Sequence, residues 1–208
     1  GMGGHKAGEI ASRMAVNAVT NHFEEQILIS GDINRLSSRK LMREAITTAN
    51  TEVYTNGRRL SHMEGMGTTM LGTFFRKNVA TIGHIGDSRC YRFSRGQLEQ
   101  LTTDHTLAYD LMQESPDGHV PAYSHHVLKK ALGIESRSEP DVFKVSAKSG
   151  DIFLLCSDGL NGVVEDSDIA TILALRSHEP ELCIDTLIRA CLMSGAPDNV
   201  SVILVFAG

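Results

Sequence analysis

The chain has 208 residues, of which 41% are hydrophobic and 22% are charged, and its formal net charge is −5. This size and apolar content suit one globular domain over residues 1–208 with a sizeable core. No long basic run supports a nucleic-acid partner, and no apolar stretch reaches transmembrane length. The four cysteines lack metal-ligand spacing, so we predict reduced packing residues in a soluble cytoplasmic protein.

Two amphipathic helices are predicted after a glycine-rich segment at residues 1–5. Apolar residues recur at helical spacing from Glu9 to about Gln26 and again from about Ser38 to Asn56. Gly57 is a natural stop for the second helix. Two such helices in succession need a broad apolar surface to cover.

Four short segments rich in β-branched and aromatic residues then predict strands, with turn signals between them. The predicted strands are Thr68–Phe75, Val79–Ile85, Cys90–Ser94 and Gln97–Leu101. The turn signals Lys77-Asn78, Gly86-Asp87 and Arg95-Gly96 favour hairpins in an antiparallel sheet, and Arg95-Gly96 is the strongest of them. The polar segment 103–122 predicts a short helix followed by a mobile loop.

The second half of the chain predicts further strands and helices. Strands are expected at Val142–Val145, Ile152–Cys156 and Val200–Phe206, and helices are expected to begin near Asp166 and Pro180. Helices, a run of strands, more helices and a closing strand together indicate an α+β layered domain.

Three of the predicted strands carry an aspartate at one end. Asp158 follows the buried run Ile152–Cys156, Asp87 follows the strand that ends at Ile85, and Asp198 comes just before the last strand. A single Asp-Gly turn is more often structural than chemical. The recurrence of the pattern predicts a carboxylate cluster that holds a divalent cation, and all-oxygen sites suit Mg²⁺ or Mn²⁺.

Seven segments, in this order, resemble the motifs of bacterial metal-dependent protein serine/threonine phosphatases of the PPM (phosphatase 2C) family. They are GMGGHKAGEIAS at 1–12, GMGTT at 65–69, GDSRCY at 86–91, LTTDH at 101–105, KALG at 130–133, LCSDGL at 155–160 and DNVSV at 198–202. Each motif alone is weak, but the ordered series covers essentially the whole chain.

The resemblance implies a four-layer αββα sandwich of two antiparallel sheets flanked by helices. It also implies that Asp158 and Asp198 hold a first metal ion and that the backbone carbonyl of Gly1 contributes to a second. Asp87, together with Asp158, would bind a third and weaker one. Two or three Mg²⁺ or Mn²⁺ ions are therefore expected in the complete domain.

The implied reaction is hydrolysis of phosphoserine or phosphothreonine esters in protein substrates by a metal-activated water. His5 has two open interpretations: it donates a proton to the leaving alkoxide, or it packs the glycine-rich turn. Cys156 lies inside an apolar run, which favours packing over a nucleophilic role. We expect Arg89 to form an ion pair and Asp104-His105 to tie down a loop, and the sequence identifies no substrate-binding residue.

The chain departs from the family pattern at its start. The family has a metal-bridging aspartate immediately before the glycine that matches Gly1, and an N-terminal strand region with a phosphate-binding arginine. Because this sequence lacks both, we expect partial metal binding and little or no activity. We also expect a homodimer formed through an unpaired sheet edge. Gly1-Met2 fits a tag remnant, a misassigned start or a natural truncation.

Two further expectations concern partners. The leading hypothesis is a phosphatase that acts on substrates of a serine/threonine kinase. The alternative is a metal-poor pseudophosphatase that binds a phosphoprotein or a kinase without turnover. Segment 124–128, SHHVL, replaces an Arg-Asn pair that is usual in bacterial relatives, which leaves substrate contacts of the neighbouring loop open.

Overall fold

The structure is a computed structural model that describes residues 5–59, 63–115, 118, 120–195 and 198–208, with only the backbone of residues 5 and 6. Its contacts divide the chain into two compact units. The first unit comprises residues 1–86 and 105–145, and the second comprises residues 87–104 and 146–208. The expected single domain over residues 1–208 stays a prediction.

Six helices and seven strands lie in the described residues. The helices are α1 (His5–Ser30), α2 (Ser38–Arg59), α3 (Leu107–Glu114), α4 (Asp158–Asn161), α5 (Asp166–Arg176) and α6 (Pro180–Met193). The strands are β1 (Met70–Arg76), β2 (Val79–Ile85), β3 (Arg89–Ser94), β4 (Gln97–Gln100), β5 (Asp141–Ser146), β6 (Ile152–Cys156) and β7 (Val202–Phe206). Short 3₁₀ turns occupy Ile33–Arg35 and Ala122–His126.

In the first unit, α1 and α2 pack with a three-stranded sheet of order β1-β2-β5. The core face of α1 carries the small residues Ala11, Ala15 and Ala18, all buried, which lets the two helices approach closely. Gly83 of β2 leaves the space that Met42 of α2 fills, because a Cβ there would lie 2.4 Å from the Met42 Cγ. The predicted helical stripes are confirmed, and α1 extends beyond both of its predicted ends. The prediction that Gly57 stops α2 is wrong, because the helix continues to Arg59 and Gly57 lies buried within it.

In the second unit, a four-stranded antiparallel sheet has the order β4-β3-β6-β7. All five residues of β6 are buried, as the apolar run predicts for a central strand. Helices α5 and α6 supply the apolar side chains that pack with β3 and β6, among them Ile169, Leu173 and Leu187. This core fixes the end of β6, from which Asp158 follows.

Two of the three predicted turns close hairpins. Lys77 has a φ of 52°, and Arg95 and Gly96 have φ values of 52° and 79°, as tight two-residue hairpin turns require. The third prediction is wrong, because Gly86-Asp87 connects β2 of one sheet to β3 of the other. Gly86 has a φ of +113°, and the Thr69 side chain occupies the space of a Cβ, so only glycine fits this connection.

The α+β class with two antiparallel sheets and helices is confirmed, while stacking in four layers stays a prediction. All four cysteines are buried and free, which agrees with the predicted packing role. Within the described ranges, no helix combines the length and the apolarity that a membrane crossing requires.

Candidate metal centre

The pairing of β3 with β6 determines where Asp87 and Asp158 lie. The last paired rung joins Arg89 of β3 to Cys156 of β6. Asp87 lies two residues before Arg89 and Asp158 lies two residues after Cys156, so both acids leave the ladder at the same end. Two carboxylates that are 71 positions apart in the chain (158 − 87) are thus brought to one end of the second unit's sheet.

The electrostatics of Asp87 show that the two acids interact. Burial, then the negative charge of Asp158, raises the pKa of Asp87 to about 6, and Asp104 adds to the shift. The backbone N–H of Asp87 and the charge of Arg89 oppose the rise but do not cancel it. Asp87 is thus a half-buried acid that resists ionisation beside a second acid. A divalent cation bound there would stabilise the ionised form of both carboxylates.

Asp198 reaches the same end of the sheet through β7. Beyond the last β6–β7 rung, the backbone N–H of Ser157 donates to Ser201 O at 3.1 Å, and Ser201 N–H donates to the Ser157 Oγ at 3.0 Å. Ser157 Oγ in turn donates to the carbonyl of Asn199 at 3.2 Å. The Asp198 carboxylate is exposed and accepts the Asn199 N–H at 2.7 Å. The segment that begins with Asp198 therefore lies against the segment that contains Asp158.

Asp158 begins the short helix α4, which the sequence did not predict. The prediction that Asp158 follows the end of the buried strand is confirmed, and a short helix rather than a simple Asp-Gly turn begins there. Gly159 is required for close approach, because a Cβ there would lie 2.3 Å from the carbonyl oxygen of Asn199. The signal that could have shown α4 is Asn161-Gly162, since asparagine and glycine often end helices.

Arg89 forms the ion pair that the sequence predicted, and the structure shows that the pair is largely buried. Its Nε lies 3.0 Å from both carboxylate oxygens of Asp104, and its Nη2 donates to Asp104 Oδ2 at 2.7 Å. Nη1 donates to the Tyr91 hydroxyl at 2.9 Å, and that hydroxyl donates to Asp166 at 2.9 Å. Although burial lowers the pKa of Arg89, the hydrogen bonds with Asp104 and Tyr91 raise it above its ordinary value.

Cys156 is a packing residue. Burial raises the pKa of its thiol to about 12, although the charge of Arg89 opposes the shift. A thiol that stays protonated at neutral pH is a poor nucleophile. This geometry agrees with the sequence-based interpretation of Cys156.

A second group of polar residues lies in the first unit, and the sequence alone did not predict that His105 meets His84 and Asp141 there. His84 and His105 are buried and their rings stack at 4.7 Å, while His105 Nε2 lies 3.3 Å from Asp141 Oδ2. Their ligand atoms are close enough together to suggest a metal site. The hydrogen bonds favour another interpretation, because His105 Nδ1 accepts the Gly86 N–H at 3.1 Å. Nε2 then carries the proton and faces Asp141, whereas a histidine that binds a metal normally donates from its other nitrogen.

This arrangement also agrees with the expected role of His105 in holding a loop. The backbone N–H of His105 donates to the carbonyl of Gly86 at 3.0 Å, and its carbonyl accepts the Lys129 N–H at 2.8 Å. His105 thus holds the Gly86 peptide from both sides. Helix α1 begins at His5, the predicted proton donor. The His5 side chain and Gly1, the predicted backbone ligand, both lie outside the described residues.

The donor set of the second unit fits Mg²⁺ or Mn²⁺. Asp87, Asp158 and Asp198 offer carboxylate oxygens alone, and hard divalent ions prefer oxygen ligands. Burial and the negative charge of Asp158 raise the pKa of Asp87, and a bound cation would favour its ionised form. Helices and two antiparallel sheets define an α+β protein in which two acids, Asp87 and Asp158, interact at one end of the second unit's sheet.

Comparison with known proteins gives the family. The protein phosphatase 2C family matches residues 1–183, and the chain belongs to that family. The serine/threonine phosphatase stp of Listeria welshimeri is 32% identical over 208 residues, which are 99% of this chain and 81% of that protein.

Solved structures agree. The chain is similar to the Mycobacterium tuberculosis serine/threonine phosphatase PstP/Ppp, with a TM-score of 0.83 at 32% identity over 98% of this chain and 83% of that one. A structure of the PstP catalytic domain in complex with two manganese ions has a TM-score of 0.80 at 32% identity, with the same coverage of both chains.

Proposed function

We propose that the chain is a metal-dependent protein serine/threonine phosphatase, a hydrolase of phosphoserine and phosphothreonine esters. The observation that carries the proposal is the approach of Asp87 and Asp158 at one end of the β3–β6 ladder, where burial and the charge of Asp158 raise the pKa of Asp87 to about 6. Such a pair suits a divalent cation, and the family match supplies the reaction class.

Asp158, Asp198 and Asp87 would hold Mg²⁺ or Mn²⁺. When bound, these ions lower the pKa of a coordinated water and stabilise charge on the phosphoryl group. The protein contributes position and electrostatics, since phosphoryl transfer needs no protein nucleophile. This agrees with the inert thiol of Cys156. The Gly1 carbonyl as a metal ligand and His5 as the proton donor to the leaving alkoxide belong to the same proposal.

We propose that the substrates are proteins phosphorylated by a serine/threonine kinase and that the chain acts on them in the cytoplasm. Four free, buried cysteines suit a reducing compartment. We also propose a homodimer through β7, which pairs only with β6 among the described strands. Ile203 and Phe206 of β7 are exposed, and an apolar edge strand favours pairing with a second chain.

The test compares phosphate release from a phosphothreonine peptide with Mn²⁺ and with a chelator, for wild type, D158N and D185N. Asp185 is an exposed acid of α6 paired with Arg189, so its replacement is the matched control. We expect slow Mn²⁺-dependent release that D185N retains and D158N loses by about 100-fold or more. Release that does not need Mn²⁺, or that D158N retains, would overturn the proposal, and so would wild-type release no faster than that of D158N.

A further inference from the structure

Arg89 lies in the last rung of the β3–β6 ladder, next to the two acids Asp87 and Asp158. It pairs with Cys156, so Asp87 lies two residues before it on one strand and Asp158 lies two residues after its partner on the other. The Cys156 Sγ also lies 3.8 Å from the carbonyl of Arg89. Any change in the position of Arg89 would therefore be passed to both acids through two residues of backbone.

The guanidinium of Arg89 is held at a fixed angle by its partners. Asp104 accepts two hydrogen bonds from one edge, and Tyr91, itself bonded to Asp166, accepts a third from Nη1. The Arg89 and Asp104 side chains are only 23% and 17% exposed. A planar fork bound in this way has little rotational freedom, in contrast to an exposed ion pair.

The same guanidinium is connected to the helix that Asp158 begins. One orientation of the Asn161 side-chain amide, in α4, gives both its oxygen and its nitrogen a hydrogen-bond partner. In this orientation the amide oxygen accepts a hydrogen bond from Arg89 Nε at 3.3 Å. The amide nitrogen of Asn161 then donates to the carbonyl of Ser157 at 3.0 Å, one residue before Asp158. Arg89 thus joins the start of β3 to α4 through its side chain as well as through the strand ladder.

Arg89 also compensates a third acid. Asp104 contributes to the electrostatic field at Asp87, and Arg89 acts on Asp87 in the opposite sense. Removal of one partner from a buried pair leaves the other charge uncompensated and displaces its surroundings.

We propose that Arg89 is the positioning residue of the metal site: through Asp104, Tyr91 and Asn161 it holds Asp87 beside Asp158. This inference rests on the proposed function, because it assumes that the two acids bind a divalent cation. Arg89 itself touches neither the ion nor the substrate in this scheme. Its contribution is the fixed separation of the two carboxylates.

The proposal predicts an effect of opposite sign to that of a simple nearby charge. If Arg89 were only a cation near the site, its removal would strengthen Mn²⁺ binding, because one repulsive charge would be lost. If Arg89 positions the acids, its removal weakens Mn²⁺ binding although the site becomes more negative. The sign of the change therefore separates the two roles.

The experiment measures Mn²⁺ affinity of the chain by electron paramagnetic resonance, in which the free-ion signal reports unbound metal, without any substrate. The variants are R89M, R89K and the matched control R92M. Arg92 lies on the same strand, is 26% exposed and pairs with Glu99. We expect R89M to weaken binding by about tenfold and R89K to be intermediate, because lysine keeps the charge but cannot form the fork. R92M should leave the affinity unchanged within about twofold.

A double-mutant cycle shows whether Arg89 acts through the acids. In the D87N background, R89M should cause no further loss of Mn²⁺ affinity, since the pair of acids is already broken. Should R89M fail to fold, as judged by circular dichroism, R89K carries the same test. Unchanged or tighter Mn²⁺ binding in the folded Arg89 variants would overturn the inference. Equal Mn²⁺ affinity of wild type and D158N would instead overturn the proposed function.

Discussion

Gly159 and Asn199 meet so closely that one hydrogen atom is the largest side chain the contact admits. A Cβ at Gly159 would lie 2.3 Å from the Asn199 carbonyl oxygen and 2.9 Å from its carbonyl carbon. Both contacts are to backbone, so the neighbour cannot turn aside as a flexible side chain would. The contact joins the residue after Asp158 to the residue after Asp198.

We therefore expect G159A to separate the segments that carry Asp158 and Asp198. It should cost about 1–3 kcal/mol in unfolding free energy and weaken Mn²⁺ binding by about tenfold or more. Isothermal titration with Mn²⁺ and urea unfolding measure the two effects. G96A is the control, because Gly96 has a φ of +79° but nothing within 4 Å of a Cβ. It should lose stability and keep its Mn²⁺ affinity, and the prediction fails if G159A binds Mn²⁺ like wild type.

The raised pKa of Asp87 gives a pH dependence of stability in the metal-free chain. Folded Asp87 holds its proton up to about pH 6, whereas the unfolded chain releases it near the ordinary value of 3.8. The folded state therefore binds more protons between these values, and stability falls as the pH rises through this window.

D87N should remove this dependence. In a chelating buffer, the variant should gain about 1–2 kcal/mol over wild type between pH 4 and pH 7.5, after allowance for solvent screening of a half-buried group. Urea unfolding at several pH values measures the gain. Parallel curves for wild type and D87N across this range would show that Asp87 ionises normally.

Cys156 should be dispensable for catalysis. C156A removes a buried sulfur and is expected to cost about 1–2 kcal/mol in stability. The rate of phosphopeptide hydrolysis should stay within about twofold of wild type, because a protonated thiol offers no nucleophile. Stopped assays beside thermal melts separate the two quantities. Full loss of turnover in a folded C156A chain would point to a covalent thiol intermediate.

His105 provides a test of the hydrogen bonds around Gly86. Because Nδ1 accepts the Gly86 N–H, long-range ¹H–¹⁵N spectra should show the proton on Nε2. H105A should lose about 1–3 kcal/mol, since it leaves a buried N–H without its acceptor. H105N should recover part of that loss, because its side-chain oxygen can take the place of Nδ1. A proton on Nδ1 in wild type would contradict the assignment.

Local patterns predicted most of the fold. The stripe from Glu9 to Gln26 and the apolar run Ile152–Cys156 each signal their structure within a few residues, and the chain folds there as expected. Arg95-Gly96 closes its hairpin because its positive φ values are a property of the turn itself. Helix α4 has only a weak local signal, Asn161-Gly162. The connection at Gly86-Asp87 has none, since the space that only glycine fits there is set by Thr69 of another segment.

The site shows the same division. Aspartates at strand ends predicted a carboxylate cluster, and the structure brings Asp87 and Asp158 to one end of the β3–β6 ladder, where their charges interact. Neither the pairing of Arg89 with Asp104 nor its link to Asn161 has a spacing that the sequence alone reveals as part of the site. The stacked pair His84 and His105 is equally hidden, because its members come from elements that only the tertiary fold brings together.

The β3–β6 ladder ends two residues before the acids on either side, and this has a consequence for how the chain reaches its native state. A slip of one residue between β3 and β6 would shift the residues that follow the ladder, Asp87 and Asp158, relative to each other. The two carboxylates would then no longer approach each other as a divalent ion requires. Metal in the refolding buffer should therefore stabilise the correct β3–β6 register over slipped registers, because only the correct register binds the ion well.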